Sequence, residues 1–150
     1  MPALKSKRDT ASDISALLAN GKMLLLYDGV CGLCDRFVQF ILRHDKDARM
    51  RYATLQGTIG EAIVSRNPSL QSVDSVILVT PSGVYVRSAA ALEVMRYLGG
   101  RWSLLLALYV LPRFVRDWGY DAVARRRYRI WGKYDACPIP PPGVRERFLD

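Results

Sequence analysis

The 150-residue chain has only three cysteines and one histidine, and it lacks the marks of a secreted or repetitive protein. Three cysteines are too few for a disulfide framework, and one of them must stay unpaired. The N-terminal residues, MPALKSKRDTASD, have no apolar core of the secretory-signal type, which predicts a reducing cytoplasm as the working compartment. In such a compartment a close cysteine pair is more often catalytic or metal-binding than structural.

Long apolar runs are also scarce, and acidic residues are outnumbered. The longest apolar run, 102–112, is about half of the ~20 residues that a membrane-spanning helix needs, so we expect a helix buried in the core or at an interface. The net charge is +8, with much of the excess late in the chain. These late cations are Arg113, Arg116, Arg125, Arg126, Arg127, Arg129 and Lys133. A solvated helix face is favoured over a site for nucleic acid, anionic lipid or an acidic partner.

The apolar patterns predict one α/β domain over residues 1–150. A short helix at 14–19 lies in an N-terminal extension, 1–21, and a core at 22–100 precedes a helical extension and tail, 101–150. The core patterns predict strands at 23–27, 49–54, 75–80 and 84–87, and helices at about 31–44, 58–66 and 88–98. Two further helical stretches follow, at 102–111 and 114–131, with Pro112 and Gly119 as interruptions. The core order β-α-β-α-β-β-α is that of a thioredoxin-like fold with a C-terminal helical extension.

Two cysteines follow the first predicted strand, in the sequence LLLYDGVCGLC at 24–34. Cys31 stands at the start of the next helix, where exposed N–H groups and the helix dipole stabilise a thiolate. Cys34 lies on the same helix face and can attack a mixed disulfide held on Cys31. Because Cys34 also borders the apolar face, we expect it to be the more buried and less acidic thiol. These differences predict Cys31 as the nucleophile and Cys34 as the resolving thiol.

Three more residues of this loop have predicted roles. Asp28 is able to accept the Cys34 proton, directly or through water, or to cap the turn by accepting backbone N–H groups, and the two roles are compatible. Gly29 and Gly32 are expected to let the backbone turn tightly and to leave the sulfurs reachable.

Two other kinds of site use the same residues. Cys31, Cys34, His44 and Cys137 form a Cys₃His set that zinc accepts, but His44 follows Cys34 by nearly three turns of one helix, so both cannot reach one ion. We expect His44 to be exposed near the helix C-terminus. Asp28 after an apolar strand also suits phosphoryl transfer, but no further carboxylate stands beside it to hold Mg²⁺.

The signature Asp28-Gly29-Val30-Cys31-Gly32-Leu33-Cys34 resembles that of the DCC family of predicted thiol-disulfide oxidoreductases, named for D-x-x-C-x-x-C. The resemblance runs from about residue 22 to the end. It includes YATLQ at 52–56, DSVILV at 74–79, RSAAAL at 87–92, RRRYRIWGK at 125–133, Cys137 and RERFLD at 145–150. It implies a thioredoxin-like fold and a dithiol function carried by Cys31 and Cys34.

The chain departs from thioredoxin proper in two places. Residues 73–75 are Val-Asp-Ser where thioredoxins have a cis-proline, and the motif loop is Gly-Leu rather than Gly-Pro. Both departures favour a narrower or a different substrate over general protein disulfides. Cys137 is interpreted as a buried structural cysteine, with a third thiol of the site as the alternative.

Together the residues and the resemblance predict a cytoplasmic thiol-disulfide oxidoreductase that uses no metal, nucleotide or flavin cofactor. Its expected partners are a disulfide-containing or thiol substrate, protein or small molecule, and an external thiol reductant. Neither nucleic acid nor a membrane is expected as a partner. The alternative is a non-catalytic thioredoxin-like binding or regulatory module that uses the basic C-terminal helices as its contact surface.

Overall fold

Four short strands rich in buried apolar residues form one mixed sheet. The computed structural model of the chain describes residues 7–71, 76–132, 143 and 147–149, and the side chains of 7–11 lie outside this description. The sheet order is β2-β1-β3-β4, with β1 at Met23–Tyr27, β2 at Met50–Thr54, β3 at Ile77–Thr80 and β4 at Gly83–Val86. β1 is parallel to β2 and antiparallel to β3, and β3 and β4 form the predicted hairpin. This is the predicted thioredoxin-like arrangement.

Helices cover both faces of the sheet, which explains why β1 reads as an unbroken apolar run. Leu25 of β1 packs in one core with residues of α2 (Gly32–His44) and α4 (Arg87–Leu98). Leu24 and Leu26 point to the other face, where they pack with residues of α1 (Lys7–Ala19) and α3 (Thr58–Arg66). Leu24, Leu25 and Leu26 are all completely buried. β1 is therefore fixed by packing on both of its faces, and this fixes the start of the loop that follows it.

The N-terminal helix is longer than predicted. It begins by Lys7 rather than at residue 14, and it ends at Ala19, two residues before Gly21, whose φ is +73°. Ile14, Leu17 and Leu18 are partly buried against the α3 side of the core. These contacts stabilise α1 more than its local sequence suggests, because packing of an apolar face supplies most helix stability in proteins.

The structure corrects two predictions about the C-terminal extension. The apolar run forms a 3-10 helix, η2, at Gly100–Val110, and none of its residues is buried. α5 spans Arg113–Trp131 without a break at Gly119, since one glycine in a helix costs only about 1 kcal/mol. Among the described residues, the helices are all too short or too polar to cross a membrane.

The last described residues return to the sheet at β2. Phe148 forms a parallel bridge with Tyr52, and their rings stack with centroids 5.0 Å apart. The backbone N–H of Leu149 donates to the Tyr52 carbonyl at 2.9 Å. Arg147 lies 3.7 Å from the carboxylate of Asp45, at the C-terminal end of α2. The tail thus adds a short strand-like edge beside β2.

Candidate dithiol site

The two cysteines of the motif sit at the start of α2, as predicted. Cys31 is the N-cap residue, with extended backbone angles of φ −87° and ψ 122°. Its sulfur accepts the backbone N–H of Cys34 at 3.3 Å, and its own N–H donates to the Asp28 carbonyl at 3.2 Å. The Cys31 sulfur therefore occupies the position in which a helix N-terminus stabilises an anion.

The exposure of the two thiols is the reverse of the prediction. Cys31 is completely buried, whereas Cys34 is half-buried. Cys34 lines a cavity of about 50 Å³ between α2 and α5, which also borders Asp28, Tyr120 and Arg127. The prediction considered only the apolar face of α2. It did not include α5, which packs against α2 and leaves this space beside Cys34.

Gly32 has a different role from the predicted one. Its φ is not among the positive values of the described chain, so tight turning does not require it. A Cβ at Gly32 would lie 2.2 Å from the carbonyl oxygen of Trp131, and the Gly32 N–H donates to the Gly132 carbonyl at 3.2 Å. Glycine is needed here because the end of α5 touches the start of α2. Gly29 also has no positive φ, and its N–H donates to Oε1 of Gln56 at 3.3 Å.

Asp28 is buried, and donors surround its carboxylate. Oδ1 accepts the Val30 N–H at 3.1 Å and Nε2 of Gln56 at 2.9 Å. Oδ2 accepts the hydroxyl of Tyr128 and lies 3.4 Å from Nη2 of Arg127. Burial alone raises the pKa of Asp28, but these hydrogen bonds and the Arg127 charge outweigh it and hold the pKa below its ordinary value. Asp28 is thus an anion with its acceptor positions used.

The neighbours of Cys34 act on its thiol in opposite directions. Burial raises the pKa of Cys34 most, and the hydrogen bond and charge of Cys31 raise it further. The Arg127 charge lowers the pKa of Cys34, but the net shift is upward. Cys34 is therefore held as a thiol beside the Cys31 sulfur.

Three partners of Asp28 were not predicted as site residues: Gln56, Arg127 and Tyr128. Arg127 was assigned to a solvated helix face, and this is wrong, because only 4 % of it is exposed while Arg125 and Arg126 beside it are exposed. Gln56 and the two α5 residues belong to segments that the resemblance includes, YATLQ and RRRYRIWGK. Their place in these two segments is a sequence signal that they matter. Only the packing of α5 against α2 shows that they contact Asp28.

His44 is not exposed as predicted. It is half-buried at the C-terminal end of α2, where its ring lies 4.5 Å from that of Phe40 and 5.2 Å from that of Trp102. Within the described residues, three or more His, Cys, Asp or Glu side chains are nowhere grouped as a metal ion would need. Cys137 and residues 73–75, where thioredoxins have the cis-proline, lie outside the described part of the chain.

Comparison with known proteins agrees with the motif. Residues 25–133 match the family model of the DCC1-like thiol-disulfide oxidoreductases. The chain is 36% identical over 127 residues to the uncharacterized protein YuxK of Bacillus subtilis, covering 84% of this chain and 93% of that one. It is 35% identical over 118 residues to a chloroplastic DCC family protein of Arabidopsis thaliana, covering 77% of this chain and 69% of that one. No solved structure matches significantly.

Proposed function

The chain belongs to the DCC1-like thiol-disulfide oxidoreductase family, and from this premise we propose that Cys31 and Cys34 exchange two electrons with a disulfide or thiol substrate. The observation that supports this proposal best is the hydrogen bond from the Cys34 N–H to the Cys31 sulfur at the helix start. It places the Cys31 sulfur at the helix N-terminus with an N–H donor directed at it, and it sets the two residues one turn apart. The cytoplasm remains the predicted compartment.

The proposed reaction has two displacement steps. The Cys31 thiolate attacks one sulfur of the substrate disulfide, forms a mixed disulfide and releases the other half as a thiolate. Cys34 then passes its proton through solvent to the released thiolate and attacks the Cys31 sulfur, which forms the Cys31–Cys34 disulfide and releases the second half as a thiolate. The substrate gains two electrons and the dithiol loses two. An external thiol reductant restores the dithiol by the same exchange in reverse.

We assign Asp28 an orienting role rather than that of a proton acceptor. Its four donors and lowered pKa make it a weak base. By holding Arg127 beside the cavity, Asp28 keeps a positive charge near Cys34. This charge favours the Cys34 thiolate that the second step needs, which makes Arg127 a positioning residue of the same kind.

The burial of Cys31 restricts the substrate. A completely buried sulfur is out of reach of a folded protein's disulfide unless neighbouring atoms move. The cavity at Cys34 has room for only a few water-sized groups. Any substrate must therefore displace neighbouring atoms, and a small disulfide or an extended peptide segment, which needs the least displacement, is the proposed substrate class.

The same burial is what favours the second candidate, a non-catalytic module. Alkylation trapping with mass spectrometry across a glutathione redox series distinguishes the two candidates. The oxidoreductase requires a reversible two-electron couple confined to Cys31 and Cys34 that is insensitive to a chelator. If the thiols are free but show no such couple, the non-catalytic binding module is the remaining candidate.

Single cysteine variants test the roles. Cys34→Ser is expected to accumulate a mixed disulfide on Cys31, since the second step is blocked. Cys31→Ser is expected to form no adduct at a comparable rate, and Cys137→Ser serves as the matched control. A faster adduct on Cys34 than on Cys31 would reverse the proposed order, and a couple changed by Cys137→Ser would bring that thiol into the site.

A further inference from the structure

Large apolar side chains are exposed along η2 and the first turns of α5. The most exposed are Leu104 at 76%, Val110 at 88%, Phe114 at 76% and Trp118 at 69%. With their neighbours they form what we call the outer apolar surface: Leu104, Leu105, Leu108, Val110, Leu111, Phe114, Val115 and Trp118. Exposed apolar patches of this kind mark interaction sites in soluble domains.

The 3-10 geometry explains why so many leucines face outward. Residues three apart line up along a 3-10 helix, so η2 has three rows of side chains. The row Ser103, Leu106 and Tyr109 is half-buried. From residue 104 onward the two other rows, 104-107-110 and 105-108 with Leu111 directly after η2, are exposed and apolar, and Arg101 precedes the first of them. Two of the three rows therefore face away from the protein.

The inner row fixes η2 to the rest of the fold. The Tyr109 hydroxyl donates to Glu93 of α4 at 2.8 Å, and the guanidinium of Arg116 from α5 lies over the Tyr109 ring at 4.7 Å. Tyr109 thus joins η2, α4 and α5. The outer apolar surface is therefore presented by an element that is fixed to the rest of the fold.

The charges within residues 100–116 are of one sign. Residues 100–116 contain Arg101, Arg113 and Arg116 and no Asp or Glu. The acidic side chains of α4 and α5 near this segment have arginine partners: Glu93 with Arg96 at 3.4 Å, Asp117 with Arg113 at 3.6 Å, and the half-exposed Asp121 with Arg87 at 3.8 Å. Arg113 and Arg116 are therefore engaged within the fold, and Arg101 is the exposed cation at the start of η2.

α5 extends this pattern along its outer face. Trp118 is followed on one helix face by residues 122, 125 and 129, and the last two are the exposed Arg125 and Arg129. The opposite face carries Tyr120, Ala124 and Arg127, which line the cavity at Cys34. One side of α5 thus completes the dithiol site while the other is apolar at its start and basic at its end.

We propose that the outer apolar surface docks on an anionic lipid bilayer. Leucines, Phe114 and Trp118 enter the interface, and the arginines contact lipid phosphates, as in interfacial helices. A second copy fits less well, because it offers the same exposed cations, Arg101, Arg125 and Arg129, rather than anions that would pair with them. The apolar run is exposed rather than buried as predicted, and this exposure is what motivates the proposal. The surface lies away from the thiols and does not depend on the proposed redox function.

Vesicle flotation of the full chain tests this proposal. Vesicles of phosphatidylcholine alone and of phosphatidylcholine with phosphatidylglycerol are compared at low and high salt. We expect binding to the anionic vesicles that salt weakens. Leu104→Ser with Leu108→Ser is expected to lower the partition coefficient at least about tenfold, because two large apolar side chains no longer leave water. Arg125→Gln with Arg129→Gln is expected to lower it about fivefold per arginine on anionic vesicles only.

Val84→Ser is the matched control, since Val84 is 46% exposed but lies on β4, away from this surface. It should bind as the unaltered chain does. Absence of binding to anionic vesicles, or binding that the leucine variants leave unchanged, would overturn the proposal. So would a dimer seen by light scattering that the leucine variants dissociate, because a second copy would then be the occupant. Circular dichroism and the Cys31–Cys34 couple should stay the same in every variant.

Discussion

Replacing Asp28 by asparagine should destabilise the fold strongly, because it removes the negative charge that faces the buried Arg127 guanidinium. The side chains of Arg127 and Asp28 are only 5% and 6% exposed. Removal of one partner of a buried pair costs about 3–5 kcal/mol. The introduced amide would also turn a donor toward Arg127 or, after a flip, toward Val30 and Gln56. Against a total stability of about 5–15 kcal/mol, the expected loss is a third or more.

Urea denaturation at pH 7 under reducing conditions measures this loss. Arg127→Met should be destabilising too, but Asp28→Asn combined with Arg127→Met should cost clearly less than the sum of the two single variants. Asp45→Asn is the matched control. Asp45 is 5% exposed and interacts with Tyr97, the Met50 N–H and Arg147, at the other end of α2. It should lower stability while leaving the potential of the dithiol unchanged.

Additive single variants, or a loss below about 1 kcal/mol for Asp28→Asn, would refute the reasoning, because neither is compatible with a buried and dependent pair. Asp28→Asn is expected to shift the reduction potential of the dithiol, unlike Asp45→Asn. An equal shift of this potential in both variants would also refute the reasoning. In that case the potential would follow global stability rather than the charge beside Cys34.

Three further outcomes are expected. The pKa of Asp28 is lower in the folded than in the unfolded protein, so its carboxylate contributes stability above pH 3.8 and this contribution is lost as the pH falls through the folded pKa. In an acid titration followed by circular dichroism, the stability of Asp28→Asn should therefore fall less steeply with pH than that of the unaltered chain. Gly32→Ala should cost about 1–3 kcal/mol in urea by pushing α5 away, whereas Gly119→Ala, with open space around it, should stabilise the helix by up to about 1 kcal/mol. Arg127→Met should raise the pKa of Cys34 and slow its alkylation at a fixed pH, by about tenfold per pKa unit. Arg126 is exposed, so Arg126→Met should leave this rate unchanged.

The core of the fold was predictable because its signals are local. β1 was predicted with its observed ends, and α2 differs from the prediction only in that Cys31 caps it. Turn residues and apolar periodicity specify such elements within a few residues. The run at 102–112 predicts a buried helix because apolar side chains are stabilised by burial. The run itself does not indicate what covers it.

The candidate site was predictable only in its local half. Asp28, Cys31 and Cys34 are close in sequence, so their proximity needed no tertiary information. Arg127 is 99 residues from Asp28, and its burial is opposite to that of the other arginines around it. A cluster of cations in sequence cannot tell which member turns inward. That depends on the rotation of α5 against α2, which the close contact at Gly32 helps to fix.

The long separation between Asp28 and Arg127 also orders events during synthesis of the chain. The segment from β1 to β2 contains Cys31 and Cys34, and its two strands can pair as soon as residue 54 has been synthesised. Closing the 99-residue loop to Arg127 costs about 4 kcal/mol of chain entropy, and this contact awaits nearly the whole chain. Thiol-labelling of nascent chains halted before and after α5 would follow the change. A newly made chain therefore carries Cys31 and Cys34 for most of its synthesis before Arg127, whose charge lowers the pKa of Cys34, is added.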